Sequence, residues 1–303
     1  MIYPKGFSND CTIGIIAPAG PFKKYSLETI KNTLKNKGFN IKIGKSCYGS
    51  YKGYLSSEDT IRAKDIEDMF LDKDVDVIMC IRGGYGTPRI LDKINYDIIR
   101  KNPKPFIGFS DITALHIAFN QKCNLVTYHG IMAGSAPDWD DFSYKSLLSS
   151  LCLEDELLVK NPSKNSINTI VNGKCSGLIT GGNLALLVST LGTEYEIDTK
   201  DKILFIEDIG ESIYRLDRML TSLDLAGKFK ACSGIIFGDF CDCTKSSEED
   251  FSLEELFLDR IGKYNKPCIS NLKCGHCTPM VTLPLGAYCE LDASNKKIKL
   301  IKK

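Results

Sequence analysis

The chain has 303 residues, of which 43% are apolar and 25% are charged, and its formal net charge is +1. These proportions are typical of a soluble globular protein, and so small a charge disfavours binding to nucleic acid or to an anionic membrane through a general basic field. The length is sufficient for two domains, each with its own core.

The first half of the chain alternates strand-like and helix-like patterns. In chain order it predicts a strand over residues 12–17, a helix over 26–37, a strand over 39–43, a helix over 57–70, and strands over 76–81 and 106–109. Ser57 or Asp59 is the expected cap of the second helix. Strands and helices that take turns in this way predict a parallel sheet covered on both faces.

A stretch rich in Pro, Ser and Asn follows a helix expected over residues 143–151, and it predicts a linker over residues 151–175. The second half predicts helices over 184–191, 213–225 and 253–263, strands over 203–205, 234–237 and 281–283, and a closing hairpin over 287–301. We therefore expect an α/β protein with an N-terminal parallel-sheet domain over residues 1–150 and a smaller C-terminal α/β domain over residues 176–303.

The N-terminal residues lack the basic start and long apolar stretch of a secretory signal, and no run approaches the ~20 apolar residues of a membrane span. We therefore expect a cytoplasmic protein with no membrane partner. In that compartment its thirteen cysteines are expected to be free thiols.

A glycine-rich turn follows the strand predicted over residues 76–81. Gly83, Gly84 and Gly86 allow a sharp turn that can present backbone N–H groups to a negatively charged atom. The spacing matches neither a Walker loop nor a dinucleotide fingerprint. A structural strand-to-helix turn explains the glycines equally well.

Ser110 stands where a predicted strand meets a predicted helix. Gly108 precedes it by two residues, as in the nucleophile elbow of hydrolases, but Ile112 replaces the glycine that normally follows by two. The match is partial, and a simple helix cap by Ser110 or Asp111 is the alternative.

A serine nucleophile needs a base, and the chain has three histidines, His116, His129 and His276. His116 lies six residues beyond Ser110 on the predicted helix, from which its ring cannot easily reach back. His129 ends a predicted strand and could face the same edge of the sheet. His276 lies in a loop beside small residues, a setting in which a histidine is often functional.

Two carboxylates, Glu207 and Asp208, follow the apolar run over residues 203–206. A carboxylate at the end of a strand in a parallel sheet is well placed to hold a histidine tautomer, although a solvated turn is an equal alternative.

Several blocks in order resemble the serine peptidase family that contains the LD-carboxypeptidases and the microcin-immunity peptidases. They cover nearly the whole chain and comprise residues 16–20, 82–86, 108–113, 181–184, 207–211, 214–220 and 275–276. The resemblance implies a glutamine-amidotransferase-like or flavodoxin-like N-terminal domain, and it suggests a homodimer.

The family's order of catalytic residues falls on Ser110, Glu207 and His276. The resemblance implies that His276 takes the proton of Ser110 while Glu207 holds the imidazole ring. It also implies an oxyanion hole formed by the backbone N–H groups of Gly84 and Asp111. The active site is then expected in the cleft between the two domains, and the family implies neither a metal nor an organic cofactor.

The family's LD-carboxypeptidases remove the terminal D-alanine from murein tetrapeptides during cell-wall recycling. A substrate that ends in a carboxylate calls for a cation or a cluster of N–H groups near the nucleophile. Arg215 and Arg82 are the candidates for that role, and Asn183 either contacts substrate or caps a helix.

The microcin-immunity branch cleaves an aminoacyl-nucleotide amide and uses a tryptophan in a longer loop to stack the base. This chain has one tryptophan, Trp139, and residues 159–175 form a short stretch without an aromatic side chain. The murein branch is therefore favoured.

Other classes of protein remain as alternatives. Residues 274–277 read Cys-Gly-His-Cys, a redox motif that needs a thioredoxin-like context, which the preceding residues do not show. A zinc site would draw on Cys241, Cys243 and the same segment, but Cys-x-Cys is tighter than the usual structural zinc spacing. A non-catalytic module that binds peptide or sugar would need no convergence of serine, acid and base.

Overall fold

The computed structural model describes residues 1–5, 7–8 and 10–302. Two compact units divide the chain. The first contains Met1–Leu153 and Thr282–Pro284, and the second contains Glu154–Val281 and Leu285–Lys303.

Fourteen strands and nine α-helices are named here in chain order within the described residues. They are β1 Thr12–Ile16, α1 Leu27–Asn36, β2 Asn40–Ile43, α2 Asp59–Leu71, β3 Val77–Cys80, α3 Tyr96–Lys101, β4 Phe106–Gly108, α4 Thr113–Cys123, β5 Thr127–His129, α5 Asp141–Leu151, β6 Glu156–Val159, β7 Asn168–Val171, β8 Lys174–Asn183, α6 Leu184–Ser189, β9 Ile203–Ile209, α7 Ile213–Leu225, α8 Lys228–Ala231, β10 Gly234–Cys241, α9 Leu253–Ile261, β11 Cys268–Ser270, β12 Leu283–Leu285, β13 Tyr288–Asp292 and β14 Lys297–Ile301.

The first unit is built on a six-stranded sheet in the order β12-β5-β4-β3-β1-β2. The pairs among β1 to β5 are all parallel, which confirms the predicted parallel sheet. Because these strands are parallel, the carboxyl ends of β3, β4 and β5 share one edge, and the glycine turn and Ser110 both begin there.

One cap differs from the prediction. Helix α2 is preceded by Glu58, whose side chain makes no capping hydrogen bond, so neither Ser57 nor Asp59 caps it. The carbonyl of Ser57 and the carboxylate of Asp59 instead accept hydrogen bonds from the guanidinium of Arg62.

The second unit is built on an eight-stranded sheet in the order β6-β14-β13-β8-β9-β10-β11-β7. Its central strands β8, β9, β10 and β11 are parallel, and antiparallel strands flank them. The hairpin predicted at the C-terminus is confirmed as β13 and β14. This unit carries Glu207 near the end of its central strand β9.

The stretch over residues 151–175 differs from the predicted linker because it contains β6 and β7. Both are edge strands, and most of their residues are at least partly exposed. An edge strand of this kind lacks the apolar alternation by which a strand is recognised in a sequence. The pattern therefore indicated only the polar loop between β6 and β7. The strand predicted over 281–283 lies at Leu283–Leu285 and belongs to the first unit's sheet.

All thirteen cysteines are free thiols, and eight of them are buried. No helix in the described part of the chain has the length and apolarity to span a membrane.

Candidate active site

Ser110 occupies a strained turn between β4 and α4. Its φ is +67°, a left-handed conformation that is uncommon for a serine, and residues Ser110–Ile112 form a single 3-10 turn before the helix begins. Two residues before Ser110 a glycine is required, because a Cβ atom on Gly108 would lie 2.8 Å from the side chain of Ile112. A strained, half-exposed serine between a parallel strand and a helix has the geometry of a nucleophile elbow.

The glycine turn lies directly beside this serine. A Cβ atom on Gly83 would be 2.7 Å from Ser110 Cβ and 3.0 Å from Ser110 Oγ, so no larger residue fits without a shift. Gly84 is exposed and has a φ of +120°, which favours glycine. The turn therefore brings backbone, with no side chain, up to the serine hydroxyl.

Asp111 ties the serine turn to the glycine turn. Its buried carboxylate accepts a hydrogen bond from the backbone N–H of Thr87 at 2.8 Å, and the Thr87 hydroxyl donates to the Asp111 carbonyl. Burial raises the pKa of Asp111 above its usual value, even though the hydrogen bonds oppose the change. The side chain thus fixes the position of the Asp111 backbone next to Ser110.

Arg62 is a second support that sequence reasoning missed. Its guanidinium is fully buried and donates to the carbonyls of Pro18 and Gly86, the latter at 2.9 Å. The buried side of α2 also carries Ala63, Asp65, Ile66, Met69 and Phe70, and an arginine within that mostly apolar pattern was the signal that could have revealed it.

Arg82, a candidate for binding the substrate carboxylate, donates hydrogen bonds to backbone carbonyls in and beside the glycine turn. Its Nε bonds to the carbonyl of Gly83 at 3.0 Å and its Nη1 to the carbonyl of Pro21 at 3.1 Å. These contacts give Arg82 a role in holding the turn.

The first unit's two histidines are buried in its core. His116 Nε2 lies 2.9 Å from the carbonyl oxygen of Gly108, and burial lowers the pKa of His116 to about 4. The ring of His129 packs 5.8 Å from that of Phe109 and 6.3 Å from that of His116. A fully buried ring does not reach the exposed edge of the sheet, so neither histidine has the exposure of a general base.

The second unit holds a histidine–carboxylate pair. His276 Nδ1 lies 2.7 Å from Oε2 of Glu207, whose side chain is fully buried on β9. Burial by itself would lower the pKa of His276, but the hydrogen bond to Glu207 and the negative charges of Glu207, Asp208 and Asp239 outweigh it and raise that pKa. The carboxylate holds Nδ1 protonated and leaves Nε2 as the basic nitrogen.

Two glycines make this pair possible. A Cβ atom on Gly275, whose φ is +129°, would be 2.6 Å from Glu207 Oε2. A Cβ atom on Gly238 would be 2.5 Å from the carbonyl of Cys274 and 3.1 Å from Glu207 Cβ. The loop that carries His276 can therefore approach β9 only because both positions lack a side chain.

Asn183 and Asp208 form a polar cluster beside Glu207. Asn183 is aligned with Glu207 in the parallel ladder of β8 and β9, caps α6 by accepting from the N–H of Leu186, and donates to Asp208 Oδ1 at 2.9 Å. The backbone N–H groups of Ala185 and Ile209 also donate to Asp208. Burial raises the pKa of Asp208 to about 6. The sequence singled out Asp208 beside Glu207 as a possible partner of a histidine, whereas the structure bonds it to Asn183 and to the backbone of Ala185 and Ile209.

Arg215, the other cationic candidate, is half exposed on α7. Its Nη1 lies 3.7 Å from Glu211 Oε2, and its Nε donates to the Tyr214 hydroxyl at 3.2 Å. Among the described residues no group of three or more His, Cys, Asp or Glu side chains is arranged to hold a metal ion, and this includes the cysteines near His276.

A serine at a strained elbow beside a glycine turn, together with a histidine held by a buried glutamate, provides the groups of a serine hydrolase. The sequence matches the profile of the LD-carboxypeptidase N-terminal domain over residues 13–130 and that of the LD-carboxypeptidase C-terminal domain over residues 176–291. The chain therefore belongs to the LD-carboxypeptidase family of serine peptidases.

Similar proteins come from both branches of that family. A Bacillus subtilis (strain 168) protein named probable murein peptide carboxypeptidase is 39% identical and covers 97% of this chain and 92% of its own length. The microcin C7 self-immunity protein MccF of Escherichia coli is 31% identical and covers 95% of this chain and 92% of its own length.

Solved structures share the whole architecture. MccF in complex with aspartyl sulfamoyl adenosine has a TM-score of 0.90 at 27% identity and covers 100% of this chain and 99% of its own. The muramoyltetrapeptide carboxypeptidase of Oxalobacter formigenes has a TM-score of 0.83 at 27% identity and covers 96% of this chain and 99% of its own. These likenesses confirm the two-domain α/β fold.

Proposed function

We propose that this chain is a serine carboxypeptidase that removes the terminal D-alanine from murein tetrapeptides by hydrolysing an L,D amide bond. The observation that carries the proposal is the hydrogen bond between His276 Nδ1 and the buried Glu207, because it prepares a base for a serine nucleophile. The 39% identity to a probable murein peptide carboxypeptidase supports the substrate class.

In the proposed mechanism Ser110 Oγ attacks the carbonyl carbon of the L,D amide, and His276 Nε2 takes the hydroxyl proton. The oxyanion that forms is stabilised by the backbone N–H groups of Gly84 and Asp111. His276 then gives its proton to the amine of the departing D-alanine, and the acyl group remains on Ser110. A water molecule, deprotonated by His276, hydrolyses this ester and regenerates the serine.

Glu207 acts through His276 in this scheme. Its carboxylate keeps the proton on Nδ1 and stabilises the imidazolium while the intermediate exists. For the substrate's terminal carboxylate we propose Asn183, Arg215 and Arg82 as contacts. Arg82 and Arg215 are exposed and Asn183 is buried, and each of the three already bonds to a neighbouring group.

A second candidate is the cleavage of an aminoacyl-nucleotide amide, which the TM-score of 0.90 to MccF favours. The sequence offers less for it. Trp139 stacks on Tyr144 at 5.8 Å within the first unit, and residues 159–175 contain no aromatic side chain. The murein peptide is therefore the first substrate to test.

The proposal extends to location and assembly. A cytoplasmic site of action is in keeping with thirteen free thiols, since disulfides persist mainly in oxidising compartments. The family resemblance supports a homodimer, and light scattering of the purified protein measures its mass directly.

Mass spectrometry of the purified protein incubated with L-Ala-D-Glu-meso-diaminopimelate-D-Ala tests the function. Loss of one alanine by the wild type, with none by Ser110→Ala, is the expected result. Cleavage of an aminoacyl sulfamoyl adenosine, without cleavage of the tetrapeptide, would favour the second candidate function, hydrolysis of an aminoacyl-nucleotide amide. Cleavage of the tetrapeptide by Ser110→Ala would remove Ser110 as the nucleophile.

A further inference from the structure

The second unit contains a cavity of about 260 Å³ that the proposed chemistry does not use. It lies among β10, the start of α9 and the segment that follows β11. The side chains on which the argument rests are those of Asp239, Phe240, Leu253, Phe257, Ser270 and Lys273. We call this space the β10–α9 cavity.

Ser270 gives the first sign that the cavity takes a ligand. The residue is 3% exposed, lines the cavity, and its hydroxyl has no hydrogen-bond partner among the described residues. Buried hydroxyl groups are normally paired, because an unmade hydrogen bond in the interior is costly. A ligand that bonds to Ser270 Oγ would satisfy it.

Charged groups of both signs line the same space. Asp239 is 8% exposed, and its Oδ2 lies 2.6 Å from Nζ of Lys273. The pair is partly buried, with the Lys273 side chain 23% exposed, and such pairs add little to stability because the loss of hydration offsets the attraction. The pair offers an ammonium group to a ligand carboxylate, while Asp239 and the nearby Glu254 offer carboxylates to a ligand ammonium.

The rest of the wall has an apolar part, beside the polar side chains of Asn168 and Asn271. Phe240 and Leu253 line the cavity with Phe257, whose ring stacks on Phe237 at a centroid distance of 3.7 Å. The volume lies below the range of about 300–1,000 Å³ that is usual for drug-sized ligands. Only a small molecule fits, with separate positive and negative ends and a short apolar part.

We propose that the β10–α9 cavity binds a small free amino acid with an apolar side chain, such as alanine. The carboxylate of the amino acid would pair with Lys273 and Ser270, its ammonium group with Asp239 and Glu254, and its side chain would meet Leu253 and the two phenylalanines.

The cavity is linked to the catalytic histidine through a short segment of backbone. Lys273 precedes His276 by three residues, and the N–H of Asp239 donates to the carbonyl of Cys274 at 3.0 Å. Gly238, which also lines the cavity, packs against Glu207. Occupation of the cavity would restrain both partners of the His276–Glu207 pair and so change kcat. This regulatory effect rests on the proposed function, whereas the binding does not.

Isothermal titration calorimetry of the full chain with L-alanine and with D-alanine tests the binding. We expect millimolar or tighter affinity in the wild type and in Ser110→Ala. We expect at least 10-fold weaker binding in Leu253→Trp, which fills the cavity from its rim, and in Ser270→Ala. Ser270→Ala removes only an unpaired hydroxyl, so it retains the fold. The matched control is Lys263→Met, which breaks an ion pair to Asp224 outside the cavity and should bind as the wild type does.

The outcomes separate this site from the active site. L-alanine is not the product of the proposed reaction, so a change in kcat on tetrapeptide caused by L-alanine in the wild type and absent in Leu253→Trp supports the regulatory role. Binding that is unchanged in both Leu253→Trp and Ser270→Ala overturns the proposed cavity site, as does the absence of binding of either enantiomer to the wild type. If the tetrapeptide is not cleaved, the calorimetry still decides whether the cavity binds.

Discussion

Gly83 lies so close to Ser110 that a single added methyl group would be 2.7 Å from the serine Cβ and 3.0 Å from its Oγ. Gly83 is not among the glycines with positive φ, so alanine would suit its backbone, and the closest conflict is with the serine, followed by the Phe109 carbonyl oxygen at 3.3 Å. A substitution at Gly83 therefore tests how accurately Ser110 must be positioned for catalysis.

We predict that Gly83→Ala lowers kcat by roughly 10²-fold while the protein remains folded. The added methyl displaces Ser110 or the glycine turn by a fraction of an ångström to about an ångström, and displacements of that size are costly for a reacting atom. Steady-state kinetics on the tetrapeptide and the rate of fluorophosphonate labelling measure the effect.

Gly262→Ala is the matched control for that substitution. A Cβ atom at Gly262 would meet only the flexible side chain of Leu258, at 3.2 Å. We expect its kcat to equal that of the wild type. Equal kcat in Gly83→Ala as well would show that the position of Ser110 tolerates the shift.

The proposed catalytic residues predict a graded series of losses. Ser110→Ala and His276→Ala should each reduce kcat by ~10⁴-fold or more, because nucleophile and base act as one unit. Glu207→Gln should cost less, since an amide can still orient the ring in part. Single-turnover kinetics with each folded variant tests the order, and a smaller loss in His276→Ala than in Glu207→Gln would contradict the assigned roles.

The raised pKa of His276 predicts the pH profile. His276 must be neutral to accept the serine proton, so kcat/KM should rise with pH through the pKa of His276, above the ordinary histidine value of about 6.5. Glu207→Gln removes the hydrogen-bonded negative charge that raises this pKa, so the rising limb should move to lower pH. If the rise of kcat/KM with pH occurs at the same pH in Glu207→Gln as in the wild type, a group other than His276 controls the profile.

Local patterns in the sequence were sufficient to predict the parallel sheet and the strand-to-helix turn at Ser110. The positive φ of Ser110 was not predicted, and neither was its close approach to Gly83, which lies 27 residues earlier in the chain. The pairing of Glu207 with His276 joins residues 69 apart, and it was implied by a family resemblance and not by any periodicity.

What sequence reasoning missed has a common physical origin. Arg62 was not singled out, and Asp111 was named only for its backbone N–H or as a cap. Both side chains are charged and buried, and each bonds to a backbone group distant in the chain: Arg62 to the Gly86 carbonyl and Asp111 to the Thr87 N–H. Charge in a sequence normally indicates exposure, so a buried charge that organises a turn is recognised only when its partners are known.

The buried imidazole of His116 predicts how stability depends on pH in acid. The pKa of His116 is lowered by burial from 6.5 to about 4, so between these values the unfolded chain binds a proton that the folded chain does not. Stability should therefore be lost as pH falls from about 6.5 to about 4. The pKa difference corresponds to about 3 kcal/mol in the free energy of unfolding.

We predict that His116→Gln removes this part of the acid sensitivity, because a glutamine does not titrate and can still donate to the Gly108 carbonyl. Urea unfolding at pH 7 and at pH 4.5, followed by a probe of the first unit, compares the two proteins. The free energy of unfolding should fall less in His116→Gln than in the wild type, whatever the two proteins' stabilities at pH 7. Equal losses in both would mean that His116 is already protonated in the folded state at pH 4.5, or that carboxylates alone account for the acid sensitivity.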